Sequence, residues 1–420
     1  MAALRRTVRV DGCATSGVGR LATVFLTYRY HLNDIDTEVT TSVVWQIQLV
    51  KVIPVLSRLY VDNFRCLENF ELDLDETNVF LGRNGTGKTS VLNVLRNIQS
   101  LVVRGSRVDA VFPARDISLN SQRSEQRFEI ETRVAGEAYS YSLVVEHDLS
   151  RGMMRVGEET LEHDGNPIFE FKNGNAQLYD DDYSQGPSYP FDWSQSGICF
   201  LNEMSANRKL TQFKKEIANY IIVSCCPPIM SAETRTEDEF LEPWMQNFVG
   251  WYRRAAQENM GSISPLFEIL GEVLPGFDSI RLAESGENSR ALKAIFQSPS
   301  SKLIRYGFDQ LSDGQRALIA MYSLTHLSTD RQVSLFIDEP ANYLALGEVQ
   351  PWLAEAVERV GESLGQVVVA SHHPVIIDYM AGANGRWFFR DGDGPVRVSK
   401  EPKDTVDGLP LSETIARRWE

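Results

Sequence analysis

Gly82-Arg83-Asn84-Gly85-Thr86-Gly87-Lys88-Thr89 fits the spacing G-x-x-x-x-G-K-[S/T] in full. It follows the apolar run Val79-Phe80-Leu81 and opens a helical stretch, Ser90 to Leu101, with Val91, Leu95 and Ile98 on one face. Strand, glycine-rich loop and helix in that order form the context in which such a loop grips phosphate. The glycines let backbone N–H groups turn inward around anionic oxygens. The helix N-terminus adds partial positive charge. Lys88 is expected to reach the β- and γ-phosphates, and the Thr89 hydroxyl to ligate Mg²⁺. The expected phosphate-binding set is Gly82, Asn84, Gly85, Thr86, Gly87, Lys88, Thr89 and Ser90, and the expected ligands are ATP and Mg²⁺.

Three further segments carry candidate chemistry. Val333 to Ile337 is a short, mainly apolar run ending in Asp338-Glu339. Such a run suits a central parallel strand buried on both faces, and its C-terminal end is where α/β sheets bind ligands. Asp338 would then hold the metal, typically through water, and Glu339 would activate the attacking water as general base. Leu311-Ser312-Asp313-Gly314-Gln315 places a serine 26 residues before Asp338. Ser312, Gly314 and Gln315 can form a second anion-binding nest at a helix start; the plainer alternative is a helix cap made by Ser312. Val367 to Ala370 reads as another strand and ends in Ser371-His372, with His373 next to it. Taken alone, His372 is an ordinary core or loop histidine.

In register, these segments resemble the ABC-type ATPases. Leu311 to Gln315 resembles their LSGGQ signature with Asp313 in place of one glycine, and His372 resembles their switch histidine. The resemblance implies that Ser312 faces the γ-phosphate of ATP held by a second subunit, that His372 senses that phosphate, and that ATP completes a head-to-tail homodimer. Lys88 and Ser312 are 224 residues apart, which looks too long for a transporter domain. Leu59-Tyr60-Val61-Asp62-Asn63-Phe64-Arg65 resembles the first strand of the RecF/SMC-like branch, which implies that Asn63 and Arg65 lie near the nucleotide. A strand-end polar pair is the alternative. Asn342, after Glu339-Pro340-Ala341, falls where this class has a loop crossing the dimer interface. Gln99, Gln122 and Gln126 are available for the glutamine loop, and none stands out. The chain is similar to the ATPase halves of OLD-type nucleases and of anti-phage systems. Only 47 residues follow His373, too few for a TOPRIM domain. A nuclease is therefore expected on a separate chain. Asp391-Gly392-Asp393-Gly394 reads as a hairpin turn rather than a metal pair.

The elements that must position these residues are legible in part. The expected architecture is α/β: an ABC-type P-loop NTPase core with a mixed sheet, an inserted antiparallel β lobe and an inserted helical lobe. The expected parts are an extension (1–54), a first core segment (55–127), a β-rich lobe (128–200), a helical lobe (201–299), a second core segment (300–398) and a tail (399–420). Residues 1–54 show weak periodicity. They are either a true extension or the product of a start placed too far upstream, with Val50, Val52 and Val55 as alternative starts; the second reading is preferred. Phe128, Ile130 and Val134 alternate onto one face, and Gly136-Glu137, Asp164-Gly165 and Asn173-Gly174 signal hairpins. Residues 203–275 read as helices cut by Pro227, Pro228, Pro243, Pro265 and Pro275, which excludes a long coiled coil. The run Asp180-Asp181-Asp182 reads as solvated surface. Leu411 to Glu420 reads as an amphipathic helix with Ser412 as its cap.

Composition bounds the rest. The chain has 420 residues with 43% hydrophobic and 24% charged, and a formal net charge of −15. Whole-chain disorder and a small disulfide scaffold are excluded. The acidity argues against a surface coated for nucleic acid, without excluding a local basic groove. The five cysteines form no CxxC pair, which suits a reducing cytoplasm. The longest apolar stretch, Val43 to Leu56, is interrupted by Gln46, Gln48 and Lys51, so no membrane span is expected. The function expected is an ATP-hydrolysing protein that controls a separately encoded effector in phage defence. A RecF-like DNA-binding ATPase of repair and an ATP-gated module with negligible turnover remain open, and DNA stays a candidate partner.

Overall fold

The computed structural model describes residues 22–32, 35–45, 55–119, 121–328, 332–401 and 410–419. The chain divides into two units, Met1–Val52 and Ile53–Glu420. The first contains a hairpin of β1 (Ala22–Leu32) and β2 (Ile35–Trp45), paired antiparallel from Ala22 opposite Trp45 to Leu32 opposite Ile35. A regular hairpin thus stands where the sequence pattern looked weak. Val50 and Val52 lie outside the described residues.

The second unit runs through β3 (Val55–Asp62), β4 (Phe70–Asp73), β5 (Thr77–Leu81), α1 (Lys88–Val102), α2 (Val108–Val111), β6 (Glu125–Val134), β7 (Glu137–Asp148), β8 (Met153–His163), β9 (Asn166–Lys172), β10 (Asn175–Tyr179) and β11 (Gln185–Pro190). It continues with α3 (Arg208–Ala218), β12 (Tyr220–Ser224), β13 (Glu233–Thr234), α4 (Phe248–Glu258), α5 (Ile263–Val273), β14 (Phe277–Glu284), β15 (Arg290–Gln297) and β16 (Leu303–Gly307). The last third holds α6 (Asp313–His326), β17 (Val333–Asp338), α7 (Leu346–Glu358), β18 (Leu364–Ala370), α8 (Pro374–Asn384), β19 (Gly385–Phe389), β20 (Arg397–Ser399) and α9 (Leu411–Trp419).

A six-stranded sheet, ordered β12-β17-β18-β5-β19-β20, is parallel except at its last strand. Its central strands are buried on both faces, which is why Val333-Ser334-Leu335-Phe336-Ile337 reads as a mainly apolar run. Alternate residues serve different cores. Phe80, Phe336 and Val368 join α1 and the antiparallel sheet in one cluster. Val79, Leu335, Ile337 and Val369 join residues of α4 to α8 in the other. The α1 face foreseen from Val91, Leu95 and Ile98 is buried.

The second sheet is antiparallel and eight-stranded, ordered β11-β10-β9-β8-β7-β6-β3-β4. Two of its hairpins turn where the sequence says, at Asp164-Gly165 and Asn173-Gly174, and the first turns one residue before Gly136-Glu137, since Glu137 already pairs with Val134. Ala135-Gly136, Asp164-Gly165 and Asn173-Gly174 each have both residues at positive φ, as a type I′ turn requires. β3 and β4 belong to this sheet, because β3 pairs with β6 as well as with β4. The antiparallel lobe is therefore continuous with residues that the sequence reading gave to the nucleotide core.

The helical reading of 203–275 needs a larger change. β12 lies inside it and forms the edge of the parallel sheet, with Ile222 opposite Phe336 and Ser224 opposite Asp338. Tyr-Ile-Ile-Val-Ser is a β-branched run of strand length, so the signal was present. β13, also inside it, joins β14 to β16, which follow it in sequence, in a small antiparallel sheet. The acidic run is not only surface: the Asp181 carboxylate accepts from the backbone N–H groups of Arg208 and Lys209 at the start of α3. Asp391-Gly392 turns between β19 and β20, as expected, and no metal-ligand cluster exists among the described residues. α9 begins at Leu411. Ser412 does not cap it; its N–H and hydroxyl donate to Asp378 of α8, and Ile415 is buried. No helix among the described residues is long and apolar enough to cross a membrane.

Candidate functional site

Parallel pairing brings three strand ends level. Asp338 lies opposite Ala370, and Ala370 opposite Phe80. The loops that leave these ends carry the glycine-rich segment, the Asp338-Glu339 pair and Ser371-His372. Residues far apart in sequence are thereby placed at one edge.

The loop from Gly82 to Gly87 is set by backbone angles that side chains resist. Gly82, Gly85 and Gly87 have φ of 152°, 81° and 89°. A Cβ on Gly82 would run into the Phe388 carbonyl oxygen, and one on Gly87 would lie 3.0 Å from Cys66 Sγ. Thr86 Oγ1 donates to the Arg83 carbonyl at 2.7 Å and closes the turn. Gly87 is the N-cap of α1, so the first turn presents its N–H groups with no side-chain cap. Asn84 and Gly85 are exposed on the loop, Thr89 is exposed in the first turn of α1, and Ser90 is half-buried beside Cys66.

Lys88 is buried, and its Nζ donates to the carbonyl oxygens of Gly82 at 2.7 Å and Arg83 at 3.2 Å. Burial lowers its pKa, against the pull of Glu339 and Asp338. Its ammonium has carbonyls for hydrogen-bond partners and no carboxylate, which fits a cation kept for an anion. Thr89 Oγ1 donates to Asp338 Oδ2 at 2.8 Å. Burial pushes the Asp338 carboxyl up, and the neighbouring Glu339 charge adds to this, while the Thr89 hydroxyl opposes it. A hydroxyl and a carboxylate side by side form an oxygen donor set that fits Mg²⁺, which keeps most of its waters and takes one or two protein oxygens.

Glu339 has φ of 49°, an uncommon value for a residue with a side chain. Its N–H donates to the Ala370 carbonyl at 2.8 Å. Its Oε1 contacts His372 Nδ1 at 2.8 Å, and its Oε2 accepts from Ser371 Oγ at 3.1 Å. Ser371 N–H in turn donates to the Phe80 carbonyl, so the hydroxyl is anchored to β5. Ser371 was quoted in the sequence motif without a role, and its contact with Glu339 is new. The imidazole of His373 has a buried Nδ1 without a hydrogen-bond partner, and burial lowers its pKa. Glu339 is met by His372, not by His373.

Ser312 caps α6: its hydroxyl accepts from Gln315 N–H at 3.2 Å while Gln315 Oε1 accepts from Ser312 N–H at 3.0 Å, a closed capping box. Gly314 packs under the Tyr343 carbonyl. Asp313, the departure from the signature pattern, pairs with Arg316, which donates to the Pro227 carbonyl. Ser312 is exposed, and within this chain its side-chain partner is Gln315. The capping reading is thus realised within the chain. Asn342 is exposed, and its N–H donates to the Glu339 carbonyl at 3.4 Å.

Asn63 is fully buried and does structural work: it donates to the Arg123 and Glu125 carbonyls and accepts from Ser118 N–H. Arg65 pairs with Asp116 at 2.9 Å. The residues of this turn that meet the phosphate loop are Cys66 and Leu67, against Gly87. Gln99 and Gln126 spend their amides on buried carbonyls of Ile217, Tyr220, Asn63 and Asp116, and Gln122 is exposed.

An AAA ATPase domain family matches residues 55–137, the stretch that holds the glycine-rich loop. No curated protein matches the chain. Among solved structures, an SMC head bound to the C-terminal winged-helix domain of ScpA is 15% identical, with a TM-score of 0.50 over 82% of this chain and 97% of that one. An Smc head with an extended coiled coil, bound to the C-terminal domain of ScpA and derived from Pyrococcus furiosus, is 13% identical over 87% and 99%, with a TM-score of 0.49. The SMC head domain of Thermotoga maritima gives 11%, 82% and 98%, and a TM-score of 0.44. The mixed α/β architecture of this chain is that of the SMC and ABC ATPase heads.

Proposed function

We propose that the chain is an ATPase that dimerises head to tail around ATP and controls a separately encoded effector, a nuclease in phage defence. The observation that carries the ATPase reading is the set at the level ends of β5, β17 and β18: Lys88 and Thr89 beside Asp338, with Glu339 held by Ser371 and His372. In this reading the loop N–H groups and Lys88 hold the phosphates, and Thr89 and Asp338 hold Mg²⁺. The metal neutralises charge on the β- and γ-phosphates. Glu339 orients the attacking water and accepts its proton, and His372 reports the γ-phosphate to the loop after β18. Ser312, Gly314 and Gln315 would close the nucleotide site of a second copy. The net charge of −15 supports a protein partner over a DNA ligand, and the resemblance to defence ATPases supports the setting.

The test is ATP turnover of wild type and Glu339→Gln, each with and without duplex DNA, at low and moderate salt. Wild type is expected to hydrolyse ATP with Mg²⁺, indifferent to DNA, and Glu339→Gln to lose about 10²–10⁴-fold while still binding ATP. Stimulation by DNA that fades steeply with salt would move the function to a DNA-binding ATPase. Equal, negligible turnover in both proteins would leave an ATP-gated module.

A further inference from the structure

Away from the nucleotide loop, a cavity of about 160 Å³ opens between the second half of α1, β12, the 238–243 loop, α4 and the turn after α6. It is far larger than the ~10–15 Å³ that admits a single water. Five of its lining residues hold a buried polar atom without a hydrogen-bond partner among the described residues: Arg96 Nε, Arg104 Nε, Tyr220 OH, Asn259 Oδ1 and Ser328 Oγ.

The two guanidinium groups are the unusual feature. Arg96 donates to Asn93 Oδ1 and the Ile222 carbonyl, and Arg104 to the Leu241 carbonyl while stacking on Phe240. Neither forms an ion pair closer than 4 Å among the described residues. Burial works against the charge of both. Asp338 and Glu242 act on Arg96, and Glu242 and Glu239 on Arg104, only through space; Asp238 also lines the wall, and Arg254 there is taken by Glu239 and Glu258. A desolvated guanidinium with an unmet N–H calls for an oxyanion. Asn259 narrows the choice. Its Nδ2 donates to the Ala255 and Leu327 carbonyls, which fixes the amide and leaves Oδ1 a buried acceptor without a donor among the described residues. The occupant must therefore accept from arginine and also donate. A protonated phosphate does both, whereas sulfate at neutral pH only accepts.

We propose that this cavity binds a single protonated phosphate group, as free phosphate or a small monoester, between Arg96 and Arg104, with Asn259 and Ser328 taking the remaining hydrogen bonds. Arg96 stands two turns beyond Lys88 on α1, and its contact with Ile222 reaches the strand beside β17. Occupancy would thus be felt at both walls of the nucleotide site. The proposal does not depend on the ATPase reading.

Full-length Lys88→Ala protein, whose phosphate loop is disabled, is titrated calorimetrically with inorganic phosphate, glycerol phosphate and sulfate. One saturable site is expected for phosphate or the monoester, the tighter of the two naming the source, with sulfate about tenfold weaker. Arg104→Leu in the same background is expected to abolish binding. Ser328→Ala, which breaks no side-chain hydrogen bond among the described residues, is expected to keep the fold and weaken binding several-fold. No phosphate binding by Lys88→Ala, binding unchanged by Ser328→Ala, or sulfate as tight as phosphate would each overturn the assignment.

Discussion

Single residues here serve two duties, and substitutions can separate them. Ser312 is both the N-cap of α6 and the residue proposed to face a partner's nucleotide. Ser312→Ala is expected to lose about 1 kcal/mol of stability through the cap alone, which would blur any loss of turnover. Ser312→Asp keeps a good cap and places a carboxylate where the γ-phosphate must come. Its melting temperature is therefore expected to stay near wild type while ATP turnover falls at least 10-fold, a drop that charge repulsion alone can supply. A parallel loss of melting temperature and activity would mean that only the cap matters. Gly82→Ala tests the loop in the same spirit. At φ of 152°, against the Phe388 carbonyl, a methyl group has no room. Nucleotide binding, read by equilibrium dialysis, is expected to be lost, whereas Gly85→Ala, strained in φ but facing open space, should retain part of it. These residues were legible in the sequence because each motif is contiguous and opens a helix, α1 after the glycine loop and α6 after Ser312. The Ser371 contact and the Cys66 packing were not, because both depend on which strands lie side by side.

At the level of elements, the antiparallel sheet holds the far end of α1 through one buried acid. Glu159 of β8 accepts from Ser196 Oγ at 2.5 Å, Gly197 N–H at 3.0 Å and Tyr141 OH at 2.9 Å. The segment it holds reaches α1 and the turn beyond it: Cys199 lies on the Val103 carbonyl, and Gln195 donates to the Gly105 carbonyl. Burial raises the Glu159 pKa to about 7, although the three hydrogen bonds oppose the rise. The folded state therefore binds this proton more tightly than the unfolded chain does. Its stabilising contribution is full below the ordinary carboxylate range and is lost as pH rises through about 7. Across that window the loss is of the order of 3 kcal/mol. Glu159→Gln cannot titrate, so its stability relative to wild type should rise between pH 5 and pH 8. A difference that stays flat with pH would show that the hydrogen bonds keep Glu159 ionised throughout. Little of this brace was readable beforehand. Alternation exposed the strands and Asp-Gly and Asn-Gly exposed their turns. The pairing of β3 with β6 spans some seventy residues, and the placement of β12 beside β17 is likewise decided by tertiary contacts rather than by local pattern.

For the whole molecule the arrangement of the two half-sites makes a quantitative demand. Within one chain Lys88 faces the carbonyls of its own loop and Ser312 faces Gln315. If catalysis uses Lys88 of one copy and Ser312 of another, the two defects must complement. Lys88→Ala and Ser312→Asp homodimers each lack a working site. In their heterodimer one site carries both substitutions, and the other carries neither. Random pairing of an equal mixture puts half of the chains in heterodimers, each with one of its two sites intact, so about a quarter of wild-type turnover should return. The recovery should rise with protein concentration and saturate when dimers are complete, as light scattering would register in parallel. A head-to-tail contact that used a different surface, or catalysis within one chain, would leave the mixture at the sum of its inactive parts. The comparison also separates the dimer from the catalytic assignment, because Glu339→Gln mixed with Ser312→Asp should recover to the same extent: in that heterodimer, too, one site carries both changes and the other neither.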